Sequence, residues 1–350
     1  MTGFPMDRIA IVMMTALGDA VHVLPVITAL KRHNPRCHIT WVLQPGPARL
    51  VRGHPDIDDL VLFDKSKGVR AYLDVREEMS RRQIDVVLGL QVYLKAGLVT
   101  ALIDAPVKVG FDRARARDLN FLFTTHRIPP HPQQHVQDQY FEFLQYLGVP
   151  HEPVVWNLGP WPDEREAQQS FFAKFERPVV SLVVGTSKAE KDWRAERWAA
   201  LTDVLDRFGL DPVIVGGRSD RELETVRVIE ATASHRPFNA LGASLRDMIG
   251  ILDGSALVIS LDTGPLHMAV ALDRPVISLM GYNNPKRVGP YRRFHDLIID
   301  AYGDPGEDYP ITPAHRHDRM GRISVDDVIE KVELWQSRRA TESADRRSEY

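Results

Sequence analysis

The feature that most constrains this chain is a repeated alternation of short apolar runs with stretches of helical spacing. Arg8-Ile-Ala-Ile-Val-Met-Met14 is almost continuously apolar, the pattern of a strand buried on both faces of a parallel sheet. It ends at Thr15-Ala-Leu-Gly18. Val21, Leu24, Ile27 and Leu30 then recur at helical intervals until Asn34-Pro35 stops the helix. Similar runs follow at His38–Leu43, Asp59–Phe63 and Ile84–Leu90, with helical patterns near Val69–Arg82 and Tyr93–Ile103. This rhythm predicts a parallel sheet with helices on both faces.

The rhythm pauses and restarts. Pro150, Pro153, Pro160, Pro162 and Pro178 punctuate a stretch whose middle, residues 156–177, reads as a linker. Strand-like runs resume at Pro178–Val184, Pro212–Val215, Ala256–Ser260 and Pro275–Met280. Helical patterns lie between them at Ala195–Phe208, Arg221–Ala233, Leu245–Leu252 and Gly264–Leu272. At roughly 150 residues per domain, 350 residues suit two domains. The expected fold class is therefore α/β, with two Rossmann-like domains (1–155 and 178–323) facing across a cleft. Ser324–Trp335 is expected to be helical, and the charged segment Ser337–Tyr350 to fray.

Composition removes several classes of function. The net charge of 44 − 47 = −3 excludes a generally basic nucleic-acid binder and leaves local basic patches as the route to anions. The single cysteine, Cys37, cannot form an intramolecular disulfide or a zinc cluster, and a reducing compartment suits it. Met1–Asp7 lacks a basic region followed by a long apolar one, which argues against a signal peptide. No run of 18 apolar residues occurs, so no membrane span is expected, while adsorption to a membrane surface remains compatible.

In open parallel sheets, ligands sit beyond the carboxyl ends of strands. In the first such loop, Thr15–His22, Asp19 is either a helix N-cap or a general base. No strand–helix junction carries G-x-G-x-x-G, which removes most support for a dinucleotide oxidoreductase. Gly185–Trp193 offers hydroxyls with Lys188 and Lys191, suited to phosphate oxygens or simply to a solvated turn. In Ser260–His267, Thr263-Gly264-Pro265 opens a helix whose free N–H groups attract anions, or else Asp262 or Thr263 only caps it. Asp262 would repel a phosphate, so a hydroxyl donor or a lysine is its expected partner. Gly281–Tyr291 is a polar loop of open role. Arg113, Arg115 and Arg117 alternate, which in an extended segment places them on one face to bind carboxylate or phosphate. Their alternative is surface pairing with Asp112 and Asp118.

These motifs form an ordered set. Thr15-Ala-Leu-Gly-Asp-Ala-Val-His-Val-Leu-Pro25, Leu90-Gln91 with Lys95, and Gly110–Arg117 come first. Thr186–Trp193 with Ala195-Glu-Arg-Trp198, Gly216-Gly217 and Asp262–Ala269 follow. Together they resemble glycosyltransferase family 9, the ADP-heptose–lipopolysaccharide heptosyltransferases of Gram-negative bacteria. That resemblance implies a GT-B glycosyltransferase whose C-terminal helix, about 324–340, packs back on the first domain. It implies Asp19 as catalytic base and Thr186, Ser187, Lys191, Asp262, Thr263, Gly264 and His267 as donor-binding residues. Lys95, Arg113, Arg115 and Arg117 are its acceptor-binding set. The implied partners are an ADP-sugar and an anionic glycolipid, with no nucleic acid, at a cytoplasmic location open to peripheral contact with the inner membrane. Three departures stand out: Thr15 where serine is frequent, Leu88-Gly89-Leu90 without the usual aspartate, and Gly281-Tyr-Asn-Asn-Pro285 in place of Gly-Pro-Thr-Asp-Pro.

The expected reaction is an inverting sugar transfer needing no metal or cofactor, with lysines and a helix end stabilising the departing diphosphate. A nucleotide-sugar epimerase and a non-catalytic sugar-nucleotide-binding protein are the alternatives.

Overall fold

A computed structural model describes residues 3–348, and their side chains as far as residue 341. The chain divides into two compact units, Met1–Leu158 and Gly159–Tyr350.

The first unit contains strands β1 (Arg8–Val12), β2 (His38–Leu43), β3 (Asp59–Leu62), β4 (Val86–Gly89), β5 (Val107–Gly110) and β6 (His126–Arg127). Its helices are α1 (Leu17–His33), α2 (Pro45–Val51), α3 (Val69–Ser80), α4 (Leu94–Leu102) and α5 (Val136–Leu147). All pairings are parallel, in the order β3-β2-β1-β4-β5-β6, with Ile9 opposite both Ile39 and Val86. The apolar run of β1 is buried from Ile9 to Val12 because helices cover both faces. On one face Ala71, Val75 and Met79 of α3 join Ala96 and Val99 of α4.

The second unit contains β7 (Val179–Val183), β8 (Asp211–Val215), β9 (Phe238–Asn239), β10 (Leu257–Leu261), β11 (Val276–Met280) and β12 (Ile298–Asp300). Its helices are α6 (Arg165–Phe172), α7 (Ala195–Arg207), α8 (Asp220–Thr232), α9 (Leu245–Gly254), α10 (Gly264–Ala271), α11 (Pro285–Val288) and α12 (Val325–Ser348). The strand order is β12-β11-β10-β7-β8-β9. With β7 in the place of β1, both sheets have the doubly wound order 3-2-1-4-5-6. The order reverses between β1 and β4 in one unit and between β7 and β10 in the other. Loops leaving those strands therefore diverge and leave a crevice.

The linker and the C-terminal helix depart from expectation. The unit boundary falls at Leu158–Gly159, and most of residues 156–177 belongs to the second unit. There α6 packs on α9: Gln168 Nε2 donates to Gly250 O at 2.9 Å, and Arg165 pairs with Asp253 at 2.6 Å. A Cβ at Gly254 would lie 2.2 Å from the Phe172 ring, so glycine is what permits this approach.

The C-terminal helix packs in the core of the second unit. Its Val328, Val332 and Trp335 are buried in the second core with Trp198, Leu201 and Leu205 of α7. Burial of each such side chain contributes about 1.5–3 kcal/mol, which fixes the helix there. Trp193 Nε1 donates to Ile323 O at 2.9 Å and anchors its start. The helical backbone continues to Ser348 where fraying was expected after Trp335, and the last two positions of that segment lie outside the described residues.

Candidate functional site

At the first reversal point the loop after β1 meets the end of β4. Gln91 bridges them, its Oε1 accepting the Met14 N–H at 2.9 Å and its Nε2 donating to Thr15 O at 2.5 Å. One amide thus satisfies two main-chain groups that no strand reaches, and it holds the approach to α1. Ala16, not Asp19, is the N-cap of α1. Asp19 is the third helical residue, and its Oδ2 accepts the Ala16 N–H at 2.8 Å. Alanine has no side-chain oxygen to return the bond, so this is half of a capping box. The Tyr140 hydroxyl of α5 donates to Asp19 Oδ1 at 3.1 Å. The carboxylate is thereby oriented from two directions and lies where the helix dipole favours negative charge. Beside it, Gln137 of α5 reads α1 twice: Oε1 lies 3.0 Å from His22 Nδ1, and Nε2 donates to His22 O at 2.8 Å.

The three arginines do not share a face. Asp112 Oδ1 accepts the Ala114 and Arg115 N–H groups at 2.9 and 3.3 Å, which bends the segment into a turn. Arg115 is buried, pairs with Asp112, and forms a fork to Glu142 of α5 at 2.8 and 2.6 Å. Burial alone would lower its pKa, but the bonds to Glu142 and Asp112 outweigh that and raise it. Arg115 is therefore already committed to two carboxylates. Arg113 and Arg117 are exposed and lie over the rings of Phe121 and Tyr93, at 5.1 and 5.8 Å. Lys95, in the first turn of α4, is exposed as well.

At the second reversal point the loops after β7 and β10 meet. Lys191 Nζ lies 2.8 Å from Asp262 Oδ2 and donates to Asp262 O at 3.2 Å, which joins two of the expected donor-binding residues. Thr263 caps α10 by position but makes no side-chain capping bond, and Gly264 and Pro265 form the first turn. With Pro supplying no N–H and Gly no bulk, the helix end is open to an anion. His267 is buried on the same helix.

Thr186 is turned toward its own loop: its hydroxyl lies 2.6 Å from both Asp192 Oδ1 and Lys188 O. Burial pushes the Asp192 carboxyl up, against the opposing pull of Thr186 and of Arg221, which pairs with it at 2.6 Å. Ser187 and Lys188 are exposed.

Two features were not anticipated. The Gly281–Tyr291 loop enters this cluster, because β11 lies beside β10. Asn283 Nδ2 donates to Asp262 Oδ2, and the Tyr282 hydroxyl accepts from Lys188 Nζ at 3.3 Å. The ammonium groups of Lys188 and Lys191 lie 5.2 and 5.9 Å from the Tyr282 ring centre, and His315 stacks on that ring at 4.7 Å. Burial, and then Lys188 and Lys191, lower the His315 pKa. Glu222 at the start of α8 is the second feature. It accepts the Gly217 and Ser219 N–H groups at 2.7 and 2.9 Å. A Cβ at Gly185 or Gly216 would fall 2.2 or 2.7 Å from its carboxylate, so these glycines make room for it. The Gly216-Gly217 pair and the Ser219-Asp-Arg-Glu222 spacing of a capping box are its signs in the sequence.

Comparison with known proteins bears on the family and the fold. Residues 72–303 match the family model for glycosyltransferase family 9 (heptosyltransferase). The lipopolysaccharide core heptosyltransferase OpsX of Haemophilus influenzae is 29% identical over 331 residues, 92% of this chain and 94% of that protein. Lipopolysaccharide heptosyltransferase 1 of Escherichia coli O18:K1:H7 is 25% identical, over 85% and 92% of the two chains. A family 9 glycosyltransferase from Veillonella parvula superposes with a TM-score of 0.80 at 23% identity, over 94% and 97% of the chains. The E. coli heptosyltransferase WaaC with ADP gives 0.75 at 23% identity, over 94% and 99%.

Proposed function

The chain belongs to glycosyltransferase family 9 and is a glycosyltransferase, and from that premise we propose that it moves a heptose from ADP-heptose to the anionic inner core of lipopolysaccharide, inverting the anomeric centre. One observation carries this reading: each sheet reversal point holds one half of the required chemistry. The first unit offers an oriented carboxylate, Asp19. The second offers lysines around an open helix end.

In the proposed reaction Asp19 takes the proton of an acceptor hydroxyl as that oxygen bonds to the anomeric carbon. The bond from that carbon to the diphosphate oxygen breaks, and the electron pair leaves with ADP. A single displacement inverts the centre. Charge growing on the diphosphate is met by Lys191, Lys188, the exposed Ser187 hydroxyl and the N–H groups at Gly264. The ADP in the E. coli relative supports this leaving group. Glu222, in the first turn of the helix that follows the second strand of its sheet, is the acid we assign to a ribose hydroxyl, by analogy with other Rossmann-type units. Lys95, Arg113 and Arg117 suit the phosphate and carboxylate groups of an inner core. No helix among the described residues is long and apolar enough to cross a membrane, so work on a glycolipid at the cytoplasmic face of the inner membrane would be by peripheral contact.

The test is incubation with ADP-heptose and a truncated core acceptor. ADP release should accompany a gain of one heptose in acceptor mass, with the new linkage of opposite anomeric configuration. ADP release without that gain, or an epimerised donor formed without acceptor, would overturn the reading.

A further inference from the structure

A set of exposed apolar side chains on the first unit has no role in the chemistry above. Tyr93, Leu94 and Leu98 of the α4 region are exposed, as are Leu119 and Leu122 around the short turn Asn120–Phe123, the last two at 60 and 62%. These residues belong to one surface because the two segments are packed together. Asn120 Nδ2 donates to Tyr93 O at 2.8 Å, the Arg117 N–H to Val92 O at 2.8 Å, and a Cβ at Gly97 would lie 2.5 Å from the Phe123 ring. Leu94 and Leu98 are one helical turn apart and so point the same way. Leu119 also has a left-handed backbone, φ 61°, which leucine rarely adopts, and that conformation gives it no buried contact in return.

Four exposed cations surround these side chains. Arg113 and Arg127 lie over the Phe121 ring at 5.1 and 5.6 Å, Arg117 lies over Tyr93 at 5.8 Å, and Lys95 is in the same first turn as Leu94. None of the four has an ion-pair partner among the described residues, and Asp118 is the exposed carboxylate of the loop. In a chain of net charge −3, this face is locally basic.

We propose that this face seats the enzyme on an anionic bilayer, with its leucines entering the boundary between headgroups and acyl chains. The composition decides between partners. Leucine is under-represented among the residues that anchor protein–protein contacts. Leucine and tyrosine rimmed by arginine and lysine is the pattern of interfacial membrane contact. The guanidiniums lie over aromatic rings, which orients them and leaves N–H donors at their edges for headgroup phosphates. The inference rests on the glycolipid reading of the acceptor, because three of these cations are those assigned to the inner core. The sugar and the leaflet that carries it would then be engaged by one continuous surface.

The test is co-sedimentation with acceptor-free vesicles, either phosphatidylglycerol–phosphatidylethanolamine or phosphatidylcholine alone. The protein should bind the anionic vesicles, and less so as salt rises. Leu119→Ser/Leu122→Ser should reduce that partition at least about tenfold, with unchanged thermal unfolding and unchanged turnover of a lipid-free core oligosaccharide. Equal partition of variant and wild type, or no wild-type binding to anionic vesicles, would overturn the proposal. So would a wild-type dimer that the double variant abolishes, which would assign the face to a second copy of the chain. Because the vesicles contain no acceptor, a failure of heptose transfer is read separately from a failure of docking.

Discussion

Lys191 and Asp262 make the sharpest test of the proposed donor site, because the cation proposed to meet the diphosphate is already committed to a carboxylate. The two meet at 2.8 Å and are 13 and 9% exposed, so bulk water screens them little. Two unit charges about 4 Å apart at an effective dielectric near 20 attract by about 4 kcal/mol, much of it offset by desolvation. A diphosphate entering the site must share or capture this lysine. In Lys191→Ala the ligand loses a cation and also faces Asp262, which keeps the neutral Asn283 amide as a partner. The two losses have the same sign. A combined cost of about 2–3 kcal/mol would weaken ADP binding by roughly 30- to 150-fold. Asp262→Asn acts in the opposite direction: it frees the lysine, and ADP should bind as well as before or up to about tenfold tighter. The double variant should bind ADP better than Lys191→Ala alone, because the repulsive partner is gone. Calorimetric titration with ADP, rather than the nucleotide sugar, keeps any contact of Asp262 with the sugar out of the measurement. If Asp262→Asn weakened ADP as much as Lys191→Ala does, Asp262 would be a brace for the lysine and not its competitor, and the reasoning would fail.

The remaining expectations concern the base and two ionic clusters. Asp19→Asn keeps its oxygen for the Ala16 N–H and can donate its NH2 to the Tyr140 hydroxyl, so ADP affinity should stay within about twofold while turnover falls by ~10² or more; undiminished turnover in a defined-acceptor assay would remove Asp19 as the base. Arg115→Met should destabilise the first unit by about 3–5 kcal/mol, since Asp112 and Glu142 are left buried without their cation. Burying uncompensated negative charge costs more the more of it is ionised, so the deficit should grow as pH rises from about 4 toward neutrality. Denaturant unfolding across pH checks this, and an unchanged stability with a raised acceptor KM would instead restore Arg115 to the acceptor site. In the second unit, the Arg316 guanidinium and then the Asp304 N–H hold Glu307 down to about 2, from an ordinary 4.5. A depressed carboxyl stabilises above its unfolded value and loses that contribution as pH falls, so Glu307→Gln should flatten the decline of the unfolding midpoint below pH 4.5. A parallel decline in variant and wild type would show that this pair does not couple to folding.

Much of the scaffold was legible because backbone periodicity is written locally. His38–Leu43 was bounded as observed, and α7, α8 and α10 each fell within a residue at either end, because apolar spacing and cap residues mark them. Helix α5 was equally readable in Val136, Tyr140, Leu144 and Leu147, with Gly148 in the left-handed conformation closing it, yet it was not singled out. Missing it hid three partners at once: Tyr140 on Asp19, Gln137 on His22, and Glu142 on Arg115. The arginine error had a different origin. Alternation implies one face only if the segment is extended, and the Asp112 side chain bends it by capturing two N–H groups. Helix α12 illustrates a third limit: its apolar stripe was visible, but a stripe does not say which core it will join.

What local patterns could not supply was which loops meet, and for that the strand order is decisive. Each sheet begins with a central strand, winds outward to one side, and then returns to place its fourth strand on the other side of the first. The loops after first and fourth strands therefore become neighbours although they are more than 70 residues apart in sequence. That single rule brings Gln91 to Thr15, 76 residues away, and Asp262 to Lys191, 71 residues away. It also explains why the Tyr282 loop joins the cluster, since β11 continues outward from β10 and its loop borders the same crevice. In place of a proline, that loop brings an aromatic ring under two lysines. If the ring helps hold the ammonium groups where phosphate charge develops, Tyr282→Leu should raise KM for the donor more than it lowers kcat, while Tyr282→Phe should restore most of the loss. Equal defects in both variants would assign the role to the hydroxyl that meets Lys188 and remove it from the ring.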